Sequence, residues 1–301
     1  MISVKVSNLS KSYGLLRAVS AFSMTVAKGE IVALVGPDGA GKTTLFRAIC
    51  GLITYDNGEI IVGGYNIAEH CEKIKPLLGY MPQSFSLYSD LSVEENLSFY
   101  AGLFGLTKKQ FEGKKKRLYA FSGLGPFHNR RAGALSGGMK QKLALSCALV
   151  HDPEILVLDE PTTGVDPLSR RQFWDILLDL RKSGSAIVIS TPYMDEVATT
   201  DRAIFIFEGR MLAEGTPSEL ARKFDGRAYQ IKVSPTYACM QQLYKIDGIT
   251  SRRFGSSIHI YTAVDRSIES FYEQLGAIGI TPELVESISP ELEDAFIQLM
   301  G

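Results

Sequence analysis

The 301-residue sequence has no apolar run approaching the ~18 residues that a membrane-crossing helix needs, so any membrane role must come through a partner. It has only four cysteines, Cys50, Cys71, Cys147 and Cys239, and no Cys-x-x-Cys pair. That spacing argues against a zinc or disulfide framework and leaves the thiols as small buried apolar groups in a reducing compartment. There is no basic excess: 32 Lys and Arg stand against 33 Asp and Glu, and a net charge of −1 argues against nucleic acid as a partner. The start, Met1-Ile-Ser-Val-Lys-Val6, alternates like a strand and lacks the apolar core of a secretion signal. The chain is therefore expected in the cytoplasm. The single tryptophan, Trp174, and the Phe and Tyr residues read as core.

What is present is an ordinary globular composition, with 45% hydrophobic and 22% charged residues, in a length suited to about two domains. Charge divides the chain near Asp225-Gly226. Residues 225–301 hold six Lys and Arg against ten Asp and Glu, and no basic residue follows Arg266. Before that point, continuous apolar runs recur at Glu30–Val35, Glu154–Leu158, Ser185–Ile189 and Arg202–Phe207, separated by helical stretches such as Arg170–Lys182. Such runs are strands covered on both faces, and the alternation predicts an α/β fold with a largely parallel sheet over 1–224. The tail, 225–301, predicts a small α+β domain of ferredoxin-like pattern. Its strands fall at Ala228–Val233, Ile249–Phe254, Ser257–Thr262 and Pro282–Ser287, with helices at Tyr237–Tyr244, Ile268–Gly276 and from Pro290, and a turn at Gly255-Ser256.

Three motifs carry chemistry. Gly36-Pro37-Asp38-Gly39-Ala40-Gly41-Lys42-Thr43 fits G-x-x-x-x-G-K-[ST] between the predicted strand Ile31–Val35 and a helix from Thr44. Its backbone N–H groups would cradle phosphates, Lys42 would reach the β- and γ-phosphates, and Thr43 would hold Mg²⁺. Leu156-Val-Leu-Asp159-Glu160 ends an apolar strand in two carboxylates. In that context Asp159 serves the Mg²⁺ shell and Glu160 the attacking water. Leu135-Ser136-Gly137-Gly138 opens a helix over Met139–Val150, a second phosphate-binding helix start that one nucleotide does not need. It suits the γ-phosphate of a nucleotide held by another subunit.

With these motifs in this order, the sequence resembles the ATP-binding subunits of ABC transporters along essentially its whole length. It is most similar to the drug- and lipid-export branch, whose subunits carry an added C-terminal domain; Leu292-Glu-Asp-Ala-Phe296 is similar to that branch's closing helix. The resemblance implies a P-loop NTPase cassette with a helical subdomain at about 85–150. It also implies a Walker A loop at Gly36–Thr44, an adenine-stacking Tyr13, a catalytic Q-loop Gln83 that senses Mg²⁺ and faces the membrane partner, a signature at Ser136, Gly137 and Gly138, and a D-loop Asp166. Implied cofactors are ATP and Mg²⁺, the latter held by Thr43, Gln83 and Asp159. Implied partners are a second cassette and integral-membrane subunits, with the chain peripheral on the inner face of the membrane.

Two positions depart from the family pattern. Met139 stands where the family usually has Gln. Pro192, within Ser190-Thr-Pro-Tyr-Met-Asp-Glu196, replaces the family's switch histidine and offers neither donor nor titratable group. His70, His128, His151 and His259 are scattered and read as surface residues. The departure favours a heterodimer whose other cassette supplies the efficient site. The run Lys108–Arg117, with six Lys and Arg, reads as a solvated helix face ahead of a patch for anionic lipid headgroups. Alternatives are a soluble ABC ATPase outside transport and a regulatory cassette that does not hydrolyse. The tail is expected to be dispensable for ATP binding.

Overall fold

A computed structural model describes residues 1–233, 236–243, 246, 248–254, 257–262 and 267–300. The chain divides into two compact units, Met1–Pro217 and Ser218–Gly301. The first begins with β1 (Ile2–Tyr13), β2 (Leu16–Ala27), β3 (Ile31–Val35), α1 (Lys42–Ile49), β4 (Asn57–Val62), β5 (Tyr65–Asn66), α2 (Ile67–Ile74) and β6 (Leu78–Met81). Three longer helices follow, α3 (Val93–Leu103), α4 (Lys108–Ser122) and α5 (Gly137–Leu149). The unit then returns to alternation with β7 (Ile155–Asp159), α6 (Pro167–Lys182), β8 (Ala186–Ser190), α7 (Met194–Val197), β9 (Arg202–Phe207) and β10 (Arg210–Gly215).

Two sheets enclose the core of this unit. Strands β1, β2, β4 and β5 pair antiparallel in the order β2-β1-β4-β5, with Val4, Val6, Phe22, Met24 and Val26 turned inward by the period of two and Leu9 turned inward after a bulge. The second sheet runs β10-β9-β3-β8-β7-β6; β9, β3, β8, β7 and β6 are parallel and β10 is antiparallel at the edge. All five residues of β3, of β7 and of β8 are buried, as expected of strands with both faces covered. The faces of α1 that carry Leu45, Phe46, Ala48 and Ile49 join the two sheets in one core.

Helix starts follow local chemistry. Ser92 and Glu95 form a capping box on α3, and Thr107 and Gln110 form one on α4, which ends at Gly123. Helix α6 begins at Pro167, three residues before the predicted Arg170, because the Asp166 carboxylate accepts the Ser169 N–H at 2.9 Å and proline suits a first helical position. Likewise α1 begins at Lys42, directly after the left-handed N-cap Gly41, and α5 begins at Gly137, directly after its N-cap Ser136, both earlier than predicted.

Packing corrects several expectations. Cys50, Cys147 and Cys239 are buried, whereas Cys71 on α2 is only half-buried. None of the histidines is a free surface residue: His259 is buried on β13 (Ser257–Thr262), and His70, His128 and His151 are half-buried. The His151 ring stacks on Phe104 at 3.6 Å and bonds the Leu78 carbonyl through Nε2; burial pushes its pKa down. Trp174 is core, but Tyr13, Tyr88, Phe99, Tyr237 and Tyr272 are exposed. The basic run is partly neutralised: Lys114 and Arg117 both reach Asp152, at 2.5 and 2.7 Å, and Lys115 reaches Glu94 and Glu112.

Ser218–Gly301 follows the split βαβ order. Helix α8 (Pro217–Ala221) leads into β11 (Arg227–Lys232), α9 (Thr236–Leu243), β12 (Ile249–Phe254), β13, α10 (Ile268–Ala277), β14 (Leu284–Ile288) and α11 (Leu292–Met300). The sheet is antiparallel in the order β12-β13-β11-β14. One face packs Tyr229, Ile231, Ile258 and Ile260 against Leu243, Phe271 and Leu275. On α11, the buried Asp294 accepts the Tyr261 hydroxyl at 2.5 Å and the Glu291 N–H at 2.6 Å. The Gly255-Ser256 turn and the helix end at Tyr244 lie outside the described residues. The division falls before the charge shift at Asp225 because packing sets it: Phe224 lies 5.5 Å from the Tyr261 ring, and Leu220 is buried.

A chain ended at Pro217 should unfold in one cooperative transition and keep nucleotide binding. A non-cooperative or insoluble product would show that the two units share a core.

Candidate nucleotide-binding site

The site forms where the parallel strands end. From β3 the chain turns through Gly36–Gly41 into α1. Gly41 has φ 104°, and a Cβ there would lie 2.3 Å from the Ala18 carbonyl, so only glycine permits this approach. Pro37, Asp38 and Gly39 are exposed, Ala40 is buried, and Thr43 and Thr44 are half-buried in the first turn of α1. Lys42 is buried; its Nζ donates to the carbonyls of Gly36 at 2.8 Å and Pro37 at 3.1 Å and lies 3.4 Å from Glu160 Oε1.

Glu160 is reached from β7. It sits at φ 49°, an uncommon conformation for a residue with a side chain and one associated with functional sites. Its N–H is held by both Ser190 Oγ at 2.9 Å and the Ser190 carbonyl at 3.2 Å. Gln83 Nε2 donates to Glu160 Oε2 at 3.0 Å, and the Thr163 hydroxyl donates to the same oxygen at 3.4 Å. Asp159 is fully buried; Ser190 Oγ donates to its Oδ1 at 2.7 Å. The Asp159 charge is felt nearby. Burial first and Asp159 second push Tyr80 up to about 12, and the same two causes raise Cys50.

Lys42, Glu160 and Gln83 therefore converge, with Asp159 directly behind. Together with Asp38–Thr44 and Tyr13 they line one cleft of about 1000 Å³. Ser136, Gly137, Gly138 and Asp166 do not line it. Ser136 caps α5 by accepting the Met139 N–H at 3.4 Å, and Ser136, Gly137 and Asp166 are exposed. The Ser169 N–H bond to Asp166 holds that carboxyl below its usual range. Pro192 is exposed beside a built cluster: the Arg170 guanidinium lies 3.7 Å over the Tyr193 ring and 3.5 Å from buried Glu196, whose other oxygen accepts the Thr191 hydroxyl. Sequence reasoning missed Ser190, Thr163 and Arg170. Ser190 had one signal, its place at the C-terminal end of an apolar strand beside β7.

The donor set fits a divalent ion held jointly with phosphates. Asp159 Oδ2 is buried with no hydrogen-bond partner among the described residues, and the Thr43 hydroxyl stands in the first turn after the loop. No cluster of three or more His, Cys, Asp and Glu suited to a metal occurs among the described residues. Oxygen ligands of this kind suit Mg²⁺, which keeps few protein ligands beside phosphates.

The fold and cleft define a P-loop nucleotide-binding cassette. The family model described as ABC transporter matches residues 19–163. The chain is 39% identical over 289 residues to the probable multidrug ABC transporter ATP-binding protein YbhF of Escherichia coli (strain K12), covering 94% of this chain and 49% of that protein. It thus spans about half the length of that relative. It is 32% identical over 305 residues to the linearmycin resistance ATP-binding protein LnrL of Bacillus subtilis (strain 168), covering 99% of this chain and 98% of that one. The solved structure of cbiO1 from Clostridium perfringens, part of the ABC transporter complex cbiONQ, matches with a TM-score of 0.67 at 28% identity, over 73% of this chain and 90% of that one. The chain belongs to the ABC transporter family.

Ser190→Ala removes the hydroxyl that bonds both Asp159 and the Glu160 N–H. Leaving a buried carboxylate short of a donor should destabilise the fold by about 1–3 kcal/mol, read by urea unfolding. An unchanged midpoint would show that the hydroxyl does not support these two carboxylates.

Proposed function

We propose that this chain binds and hydrolyses Mg-ATP as one half of a head-to-tail cassette pair and drives export through separate integral-membrane subunits. The observation that carries this is the convergence of Lys42, Glu160 and Gln83 beneath a glycine loop. Lys42 neutralises β- and γ-phosphate charge, and the loop N–H groups and the start of α1 add donors. Tyr13, half exposed at the end of β1, stacks on the base. Thr43, Asp159 and Gln83 hold Mg²⁺, which when bound neutralises charge developing on the phosphates. Glu160, fixed through its own N–H and by Gln83, accepts a proton from the attacking water. Ser136, Gly137 and Asp166, which are exposed, and Gly138 behind them at the start of α5 serve the partner's nucleotide, which accounts for their standing outside this cleft.

Export is supported by relatives whose names specify multidrug transport and linearmycin resistance. No helix among the described residues is long and apolar enough to cross a membrane, so separate subunits would provide the passage and this chain would sit against the inner membrane face. The pair is a heterodimer in this reading. Pro192 cannot donate to the γ-phosphate, and the loss of one positioning donor costs about 3 kcal/mol of transition-state stabilisation. This chain's own site therefore holds ATP with slow turnover, while its signature completes a faster site on the partner.

Lys42→Ala and Tyr13→Ala should both weaken binding in ATP titrations, the first more for ATP than for ADP; unchanged curves for both would refute the site. The purified chain should be a poor ATPase that Pro192→His accelerates. Fast hydrolysis by the chain alone, abolished by Glu160→Gln, would contradict the asymmetric pair.

A further inference from the structure

We propose that Glu208 reads the ribose of the bound nucleotide and makes the site selective for ribonucleotides. The inference rests on the reading of the cleft given above, whose phosphate end is Gly39–Thr44. A nucleoside joined to phosphates there must extend along the cleft, whose lining also includes Tyr13, Leu16, Arg17, Glu208 and Arg210.

Glu208 occupies an unusual place. Phe207 and Arg210 are paired across β9 and β10, so Glu208 and Gly209 form a two-residue turn, with φ 48° and 75°. Turns with both central φ values positive select Asn and Gly at these positions. A glutamate breaks that local rule, and such violations concentrate where side chains work.

The turn is also fixed to the phosphate loop. The Gly209 N–H donates to the Ala40 carbonyl at 3.0 Å, and the Ser20 N–H donates to the Gly209 carbonyl at 2.8 Å. A Cβ on Gly209 would lie 2.6 Å from the Ala18 carbonyl, the same oxygen that Gly41 approaches. The backbone of Glu208 is thus carried at a set offset from the loop that cradles the phosphates. It is exposed, and no hydrogen bond or ion pair engages it among the described residues.

Position selects ribose over base. Tyr13 and Leu16 are paired at the tip of the β1–β2 hairpin, where their flat and apolar surfaces suit a base. The Glu208 turn is bonded to Ala40 and Ser20, nearer the phosphate loop, where the sugar lies between base and phosphates. A carboxylate is acceptor-only, and ribose offers two hydroxyl donors. The same chemistry lets an acidic residue bind a ribose 2′-hydroxyl in dinucleotide folds. Arg17 and Arg210, lining the same cleft, offset the repulsion between this carboxylate and the phosphates.

The test measures dissociation constants of the full chain for ATP, 2′-deoxy-ATP, 3′-deoxy-ATP and GTP by calorimetry. The wild type should bind ATP about ten-fold more tightly than at least one deoxy analogue, the scale of one charge-assisted hydrogen bond. Glu208→Asn and Glu208→Gly both suit the positive φ, so neither should lower the unfolding temperature, and both should reduce the discrimination to within about two-fold. Equal affinity of the wild type for all three adenine nucleotides would overturn the proposal while leaving Lys42-dependent ATP binding intact. Discrimination that survives in both variants would overturn it as well, as would variants that lose only the preference for ATP over GTP, since Glu208 would then read the base. Absence of ATP binding to the wild type would instead refute the underlying site.

Discussion

A buried ammonium organises the first unit. Lys42 Nζ is surrounded by the Gly36 and Pro37 carbonyls and by Glu160, with both charged side chains almost fully excluded from water. Removing one partner from such a buried pair is strongly destabilising, because it strands the other charge. The pair therefore fixes the loop, the end of β7 and, through the Gln83 amide, the segment after β6. The glycine loop after β3 and the carboxylates at the end of β7 are joined by one electrostatic contact.

Strand order makes that contact possible. The sequence β9-β3-β8-β7 lays the ends of β3, β8 and β7 side by side, so Gly36, Ser190 and Asp159 meet although long stretches of chain separate them. Ser190 then acts as a hinge between neighbours, donating to Asp159 and accepting from Glu160. Beyond it, Thr191, Glu196 and Arg170 tie the loop that carries Pro192 to α6, whose first turn is capped by Asp166. Pro192 itself offers no titratable group, but the residues around it form a built scaffold.

Much of the site was legible because its chemistry restricts residue type. A backbone cradle for phosphates demands glycines, and a strand that ends in two carboxylates stands out against its apolar run. Ser190 and the Arg170–Glu196 pair were not legible. Serine and arginine serve many roles, and their partners come from other elements. Glu208 escaped for a different reason: its signal is a backbone angle. The division near Pro217 was displaced toward Asp225 because charge reports solvent preference, whereas the rings of Phe224 and Tyr261 report packing. His151 was misjudged because an imidazole packs well against an aromatic face, here Phe104.

The most direct test of the central claim is a crystal structure of the full chain with Mg²⁺ and a non-hydrolysable ATP analogue. The account predicts triphosphate in the Gly36–Thr44 loop, with Lys42 Nζ moved from Glu160 to phosphate oxygens and Glu160 still held by Gln83 or freed to face water. Triphosphate bound elsewhere, or a Lys42–Glu160 contact that persists with nucleotide in the loop, would contradict it.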